Sequence, residues 1–211
     1  MFDEPLLGGV SSDIRVLTTA DGPIVVKRAL DKLNVVAEWR SDPGRSRTEV
    51  RALRAAADLL GSAHVPRVLW EDPAQHSFAM TLIDPSLRNW KADLLAGRVD
   101  PRTAAAAGGL LGVLHARSAG DAGLAVAFDD RTAFRELRTV PFFDRVAGRL
   151  PALAGPIRSV VAEMAPRRRV LVHGDYSPKN ILADGARIVV VDFEVAHWGD
   201  PAFDLAFCLR I

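Results

Sequence analysis

The sequence predicts an α+β fold of two unequal lobes: a small N-terminal β-sheet lobe with one helix, residues 1–84, and a larger, mainly helical C-terminal lobe, residues 85–211. Four short apolar, β-branched runs precede residue 84 and flank one Ala/Leu-rich segment. Asp84-Pro85 ends the regular pattern, because the residue before a proline is biased away from helix. Beyond it the chain reads as helix, until short strands return around a polar loop at Val170–Val191. At 211 residues and 49% hydrophobic, the chain can bury a real core.

The elements follow in order. Leu6–Asp13 is a small-residue loop in which Gly8, Gly9, Ser11 and Ser12 let backbone N–H groups approach a phosphate closely. Such a loop is equally a plain hairpin; what strengthens it is the strand Ile14–Leu17, the turn Thr19–Pro23 and the strand Ile24–Lys27, which ends in a lysine. Lysine is scarce in this chain, standing only at Lys27, Lys32, Lys91 and Lys179, so an ammonium beside Arg28 draws notice. Ser46–Leu60 reads as a helix closed by Gly61, with Val50, Leu53 and Ala57 on one face. Glu49 falls in its first turn, as an acid favoured by the helix N-terminus, as the partner of Lys27, or as both at once; the order of elements favours the pair. Val65–Trp70 and Ser77–Ile83 read as two more strands.

In the second lobe Pro101–Ala116 is a long helix, whose Gly108, Gly109 and Gly112 invite close packing and whose His115 reads as a packed, hydrogen-bonded residue. Phe134–Leu150 and Ile157–Met164 are further helices, and Arg167–Arg169 a solvated basic turn. Val170–Val172 is a buried strand that delivers His173-Gly174-Asp175 into a loop stiffened by Pro178. Asn180-Ile181-Leu182 leaves as a second strand, Asp184-Gly185 turns it, and Ile188–Val191 returns with Asp192-Phe193-Glu194 at its end. Taken singly, Asp175 and Asn180 are ordinary turn builders. Taken together, they form the array that phosphoryl transfer from a magnesium nucleotide to a hydroxyl requires: one carboxylate to orient the hydroxyl, and an Asn with a second Asp to hold the metal.

His173-Gly174-Asp175-x-x-Pro178-x-Asn180, then Asp192-x-Glu194, then Gly199-Asp200-Pro201-x-x-Asp204 resembles the aminoglycoside phosphotransferase and choline kinase family, small-molecule kinases with a protein-kinase-like fold. The resemblance implies Asp175 as catalytic base, His173 as support of the loop, Asn180 and Asp192 as Mg²⁺ ligands with Glu194 as an additional one, and Asp204 as a brace from the following helix. It implies ATP, or GTP in its place, held by Gly8, Gly9, Ser11, Ser12, Lys27 and Glu49, with the purine against the hinge from Thr81 to Ile83. Ordinary protein kinases carry Arg where Gly174 stands and D-F-G where this chain has Asp192-Phe193-Glu194. Trp90–Arg98 and Val140–Asp144 also resemble segments of methylthioribose kinases. The acceptor expected is a small hydroxyl compound: aminoglycoside-like, a sugar or an amino alcohol. The rival expectation is a nucleotide-binding pseudokinase or inactive truncated relative.

A net charge of +1 gives no general attraction to nucleic acid. The single cysteine, Cys208, admits no internal disulfide and suits a reducing cytoplasm, and no apolar run reaches membrane-spanning length. The apolar stretch Phe203–Ile211 stops without a cap, which is the basis for expecting a shortened C-terminal lobe and self-association through that helix.

Overall fold

The computed structural model describes residues 3–5, 9–36 and 38–209. The N-terminal part holds strands β1 (Asp3–Pro5), β2 (Ser12–Thr19) and β3 (Gly22–Ala29), helix α1 (Arg45–Leu60), and strands β4 (Val68–Asp72) and β5 (Ser77–Thr81). The strands form one antiparallel sheet in the order β1-β2-β3-β5-β4. Along β3 the burial alternates, and the inward face carries Val25, Lys27 and Ala29, all 9% exposed or less. The strand period thus sends Lys27 into the layer that α1 covers, where an ammonium must find carboxylates.

Helix α1 begins at Arg45 with Gly44 at its N-cap, one residue before the expected start, and ends at Gly61, whose φ of 94° suits glycine. Glu49 therefore lies beyond the first turn, which contains no acid, and the helix-terminus reading of Glu49 falls. β5 stops at Thr81, short of Ile83, and β4 begins at Val68, after Pro66.

The second part comprises β6 (Arg88–Asn89), α2 (Trp90–Leu95), α3 (Pro101–Ser118), α4 (Ala122–Ala127), α5 (Thr132–Phe134), a π-helical segment (Arg135–Asp144), α6 (Arg145–Arg149), α7 (Pro151–Met164), β7 (Val170–Val172), β8 (Ile181–Asp184), β9 (Arg187–Val190), β10 (His197–Gly199) and α8 (Ala202–Cys208). Asn89, Asp100 and Asp121 cap α2, α3 and α4 by accepting from Ala92, Arg102 and Leu124 N–H. The expected helix Phe134–Leu150 is not a plain α-helix. Pro141 has no N–H to give, and the turns around it widen to π geometry. Gly108, Gly109 and Gly112 do not mediate close packing: a Cβ at each would meet nothing within 4 Å. His115 is hydrogen-bonded as expected, its Nε2 lying 3.0 Å from Asp204 Oδ2.

The main core joins both parts. Val50, Leu53 and Phe78 from the first pack with Leu111, Leu114, Ile181 and Phe193 from the second. In α8, Phe203 and Phe207 stack on each other and meet Phe134 and Phe142 edge-on, while Leu205 and Leu209 are exposed. Among the described residues no helix is long and apolar enough to cross a membrane.

His197 is buried against Phe134, with ring centroids 4.0 Å apart, and burial pushes its imidazole down to about 4. Its folded value lies below the unfolded one, so the folded state resists the proton. Stability should be fully present above about pH 6.5 and fall as pH drops toward 4. Roughly 2 kcal/mol should be lost between pH 7 and pH 5, and His197→Phe should flatten that slope in urea titrations at the two pH values.

Candidate active site

The segments Gly9–Ser11, Asp175–Asn180 and Asp192–Glu194 meet, with residues of α2, the π-helical segment and α8, in a cleft of about 630 Å³. β7 carries the chain to His173, and Gly174 turns it at φ 79°; a Cβ there would lie 2.6 Å from Val195 O, so no other residue fits. Asp204, in the first turn of α8, accepts from His173 N–H and Gly174 N–H at 2.8 Å each, which pins the turn. The His173 ring accepts from Asp175 N–H at Nδ1 and lies 3.1 Å from Val191 O at Nε2. Burial lowers its pKa, so it stays neutral, with Nε2–H donating to Val191 and tying the loop to the end of β9.

Asp175 is 1% exposed. Its Oδ2 receives Arg138 Nη2 at 2.7 Å, Lys179 Nζ at 2.8 Å and Asn180 Nδ2 at 2.7 Å. Its Oδ1 is buried and has no hydrogen-bond partner among the described residues. Asn180 sits in a 3₁₀ turn, Pro178–Asn180, rather than in the strand that follows. Its Nδ2 is committed to Asp175, which leaves Oδ1 as the atom it can offer elsewhere.

Opposite, Lys27 Nζ bridges Glu49 Oε1 at 2.8 Å and Asp192 Oδ1 at 2.6 Å. Burial alone would lower the ammonium's pKa, but Asp192, Glu49 and Glu194 together raise it well above the usual lysine range. Burial likewise pushes Asp192 up, and Lys27 and Lys179 overcome this to hold it below the usual carboxylate range. Asp192 adopts φ 69°, a left-handed conformation that a non-glycine residue holds at some cost. Glu194 Oε2 pairs with Arg45 Nε at 3.0 Å, both buried. Carboxylate oxygens of Glu49, Asp192 and Glu194 come within 4.8 Å of one another.

The structure therefore brings Gly9, Ser11, Asp175, Asn180, Asp192 and Glu194 to one cleft, with Lys27, Glu49 and His173 buried behind its wall. Ser12 is buried in β2, its hydroxyl without a partner among the described residues. Thr81 and Ile83 do not line this cleft, and Thr81 N–H is already given to Arg67 O. Gly8 lies outside the described residues.

Two arginines escaped the sequence reading. Arg45 joins the Gly/Ser loop to Glu194: its guanidinium also donates to Ser11 O and, at 2.9 Å, to Leu30 O. Arg138, from the π-helical segment, holds Asp175 and donates to Gly174 O at 3.0 Å. Both sit among many surface arginines in sequence, and only their burial distinguishes them.

The fold is kinase-like, in agreement with solved structures. The ternary complex of APH(2")-IIa with streptomycin and ATP superposes with TM-score 0.60 at 18% identity, over 97% of this chain and 69% of that one. A choline/ethanolamine kinase family protein from Mesorhizobium loti gives TM-score 0.58 at 20% identity, over 99% and 63%. The macrolide 2'-phosphotransferase MphH from Brachybacterium faecium gives 0.60 at 24%, over 98% and 69%. The chain thus spans about two thirds of their length. Residues 4–211 match the phosphotransferase enzyme family, and the chain belongs to it. No curated protein matches. The resemblance to methylthioribose kinases finds no support.

Proposed function

We propose that the protein transfers the γ-phosphoryl group of a magnesium nucleotide, ATP or GTP, to a hydroxyl of a small molecule. The observation that carries this reading is Asp175 Oδ1, a buried carboxylate oxygen without a partner among the described residues, beside a cleft also lined by Asn180 and Asp192. Oδ2 is held by three donors, so Oδ1 is the atom left to accept a hydrogen bond from an incoming hydroxyl. As the acceptor oxygen bonds to the γ-phosphorus, the bond from that phosphorus to the bridging oxygen breaks. The hydroxyl proton goes to Asp175 and the nucleoside diphosphate leaves.

Lys27 would meet the α- and β-phosphates, steadied by Glu49, and the Gly9–Ser12 loop would cover them. The division of labour would then fall at residue 84, with nucleotide binding in 1–84 and the catalytic loop in 85–211. Mg²⁺ fits the hard oxygen donors present: Asn180 Oδ1 and the Asp192 carboxylate would hold it, with Glu194 contributing only the oxygen that Arg45 does not take. When bound, the ion neutralises the phosphate oxygens. Self-association through α8 has no support in the comparisons and forms no part of this reading.

The test is nucleoside diphosphate release from Mg-ATP and Mg-GTP by the purified chain, with and without a panel of hydroxyl compounds. Release that requires an acceptor supports the transferase. Tight nucleotide binding with no transfer to any acceptor would instead establish the pseudokinase reading.

A further inference from the structure

The guanidinium of Arg45 is buried, and every N–H group it has is used. Nε meets Glu194 Oε2 at 3.0 Å. Nη1 meets Ser41 O at 3.2 Å and Asp42 O at 3.0 Å, and Nη2 meets Ser11 O and, at 2.9 Å, Leu30 O. A guanidinium carries five N–H groups in one plane, and five acceptors receive them here. These acceptors come from three segments: Ser11 in the Gly/Ser loop, Leu30, Ser41 and Asp42 at the two ends of the linker between β3 and α1, and Glu194 after β9.

The same segments wall the cleft. Ser11, Leu33, Trp39 and Glu194 line it, whereas Arg45 lies outside its lining. The linker is also fastened to the π-helical segment, because Trp39 Nε1–H donates to Glu136 O at 3.1 Å and Asp42 N–H to Glu136 Oε2 at 2.9 Å. The Gly/Ser loop hangs on the linker by its carbonyls: Val10 O accepts from Asn34 N–H at 2.8 Å and Ser11 O from Leu30 N–H at 3.0 Å. Arg45 then ties loop and linker to Glu194. One turn further along α1, Glu49 holds Lys27, which holds Asp192. One face of α1 therefore reaches both acids of Asp192-x-Glu194, the first through Lys27 and the second directly.

We propose that Arg45 is a positioning residue for the phosphates of the nucleotide. By spanning from Ser11 O to Glu194 it sets the spacing between the loop that would cover the phosphates and the acids that face them. It acts through those two residues and touches no ligand itself. The proposal rests on the phosphotransfer reading. A lysine at this position would still neutralise Glu194, but a compact ammonium with three donors cannot serve acceptors spread around the plane of a guanidinium. The spacing matters to phosphates and not to a nucleoside, which has none.

The test compares the full wild-type chain with Arg45→Lys, Arg45→Met, Glu194→Gln and the Arg45→Lys/Glu194→Gln pair. Affinities for Mg-ADP, Mg-GDP, adenosine and guanosine are measured by ligand-observed NMR, and stability by urea unfolding. Arg45→Lys should bind the preferred diphosphate at least about tenfold more weakly than wild type, with the affinity of the matching nucleoside within about twofold. Arg45→Met should be the less stable of the two Arg45 variants, since it leaves Glu194 buried without a cation; should it fail to fold, Arg45→Lys still decides the matter. In the paired variant the fold-loss in diphosphate affinity should be smaller than the product of the two single losses, because Arg45 and Glu194 act as one unit. An unchanged diphosphate affinity in Arg45→Lys, a loss shared equally by diphosphate and nucleoside, or single losses that multiply in full would overturn the proposal. A wild-type chain that binds neither diphosphate would sink the phosphotransfer reading and this proposal with it, an outcome distinct from any failure confined to the variants.

Discussion

Asp175→Asn is expected to lower kcat on the order of 10²- to 10³-fold while leaving nucleotide affinity nearly unchanged. The structure shows why an isosteric change should cost so much. Arg138, Lys179 and Asn180 are all donors, and all point at Oδ2. An asparagine must turn its amide oxygen toward them, which aims its NH₂ at the position where Oδ1 now stands unpartnered. A hydroxyl arriving there would meet a donor and no acceptor for its proton. The loop should keep its shape, because Asp204 and His173 hold it independently of the Asp175 side chain. Single-turnover kinetics with nucleotide titration would check this; wild-type transfer rates in the variant would remove Asp175 from the chemistry.

Lys27→Ala should abolish tight nucleotide binding and also destabilise the fold. The ammonium is 4% exposed and bonded to two carboxylates, Glu49 at 2% exposure and Asp192 at 26%. Its removal leaves buried Glu49 without its cation and facing Asp192, a situation that costs about 3–5 kcal/mol for a broken buried pair. Lys27→Ala combined with Glu49→Gln should recover part of that loss, since one buried charge is gone, yet should not restore nucleotide affinity. Thermal unfolding of both variants beside calorimetric nucleotide titration separates the two effects. A single variant as stable as wild type would show that water or side-chain movement relieves the acids.

Much of the site was legible because its logic is local. His173-Gly174-Asp175 through Asn180 lies in one loop, and Asp184-Gly185 makes the return to Asp192 short. The need for glycine at Gly174 is likewise local, set by the positive φ and the approach of Val195. The Lys27–Glu49 pair was inferred from the order of elements, and strand period and helix face then bring the two together. Element limits were less legible. Pro141 did not stop its helix but changed its period, and the three glycines of α3 turned out to face solvent.

By itself, then, the sequence determined the lobed α+β plan, the catalytic-loop order and the candidate roles of Asp175, Asn180 and Asp192, because these depend on turns, strand period and spacing. Only the tertiary structure decided which charges are buried and what they face. Arg45 and Glu194 are 149 positions apart, and Lys27 and Asp192 are 165. Arg138 reaches Asp175 from a helix whose widening no local pattern announced. Such pairs form because burying an ion is costly until an opposite charge from a distant segment meets it. That condition is imposed by packing, and in sequence these arginines look like any others on the surface.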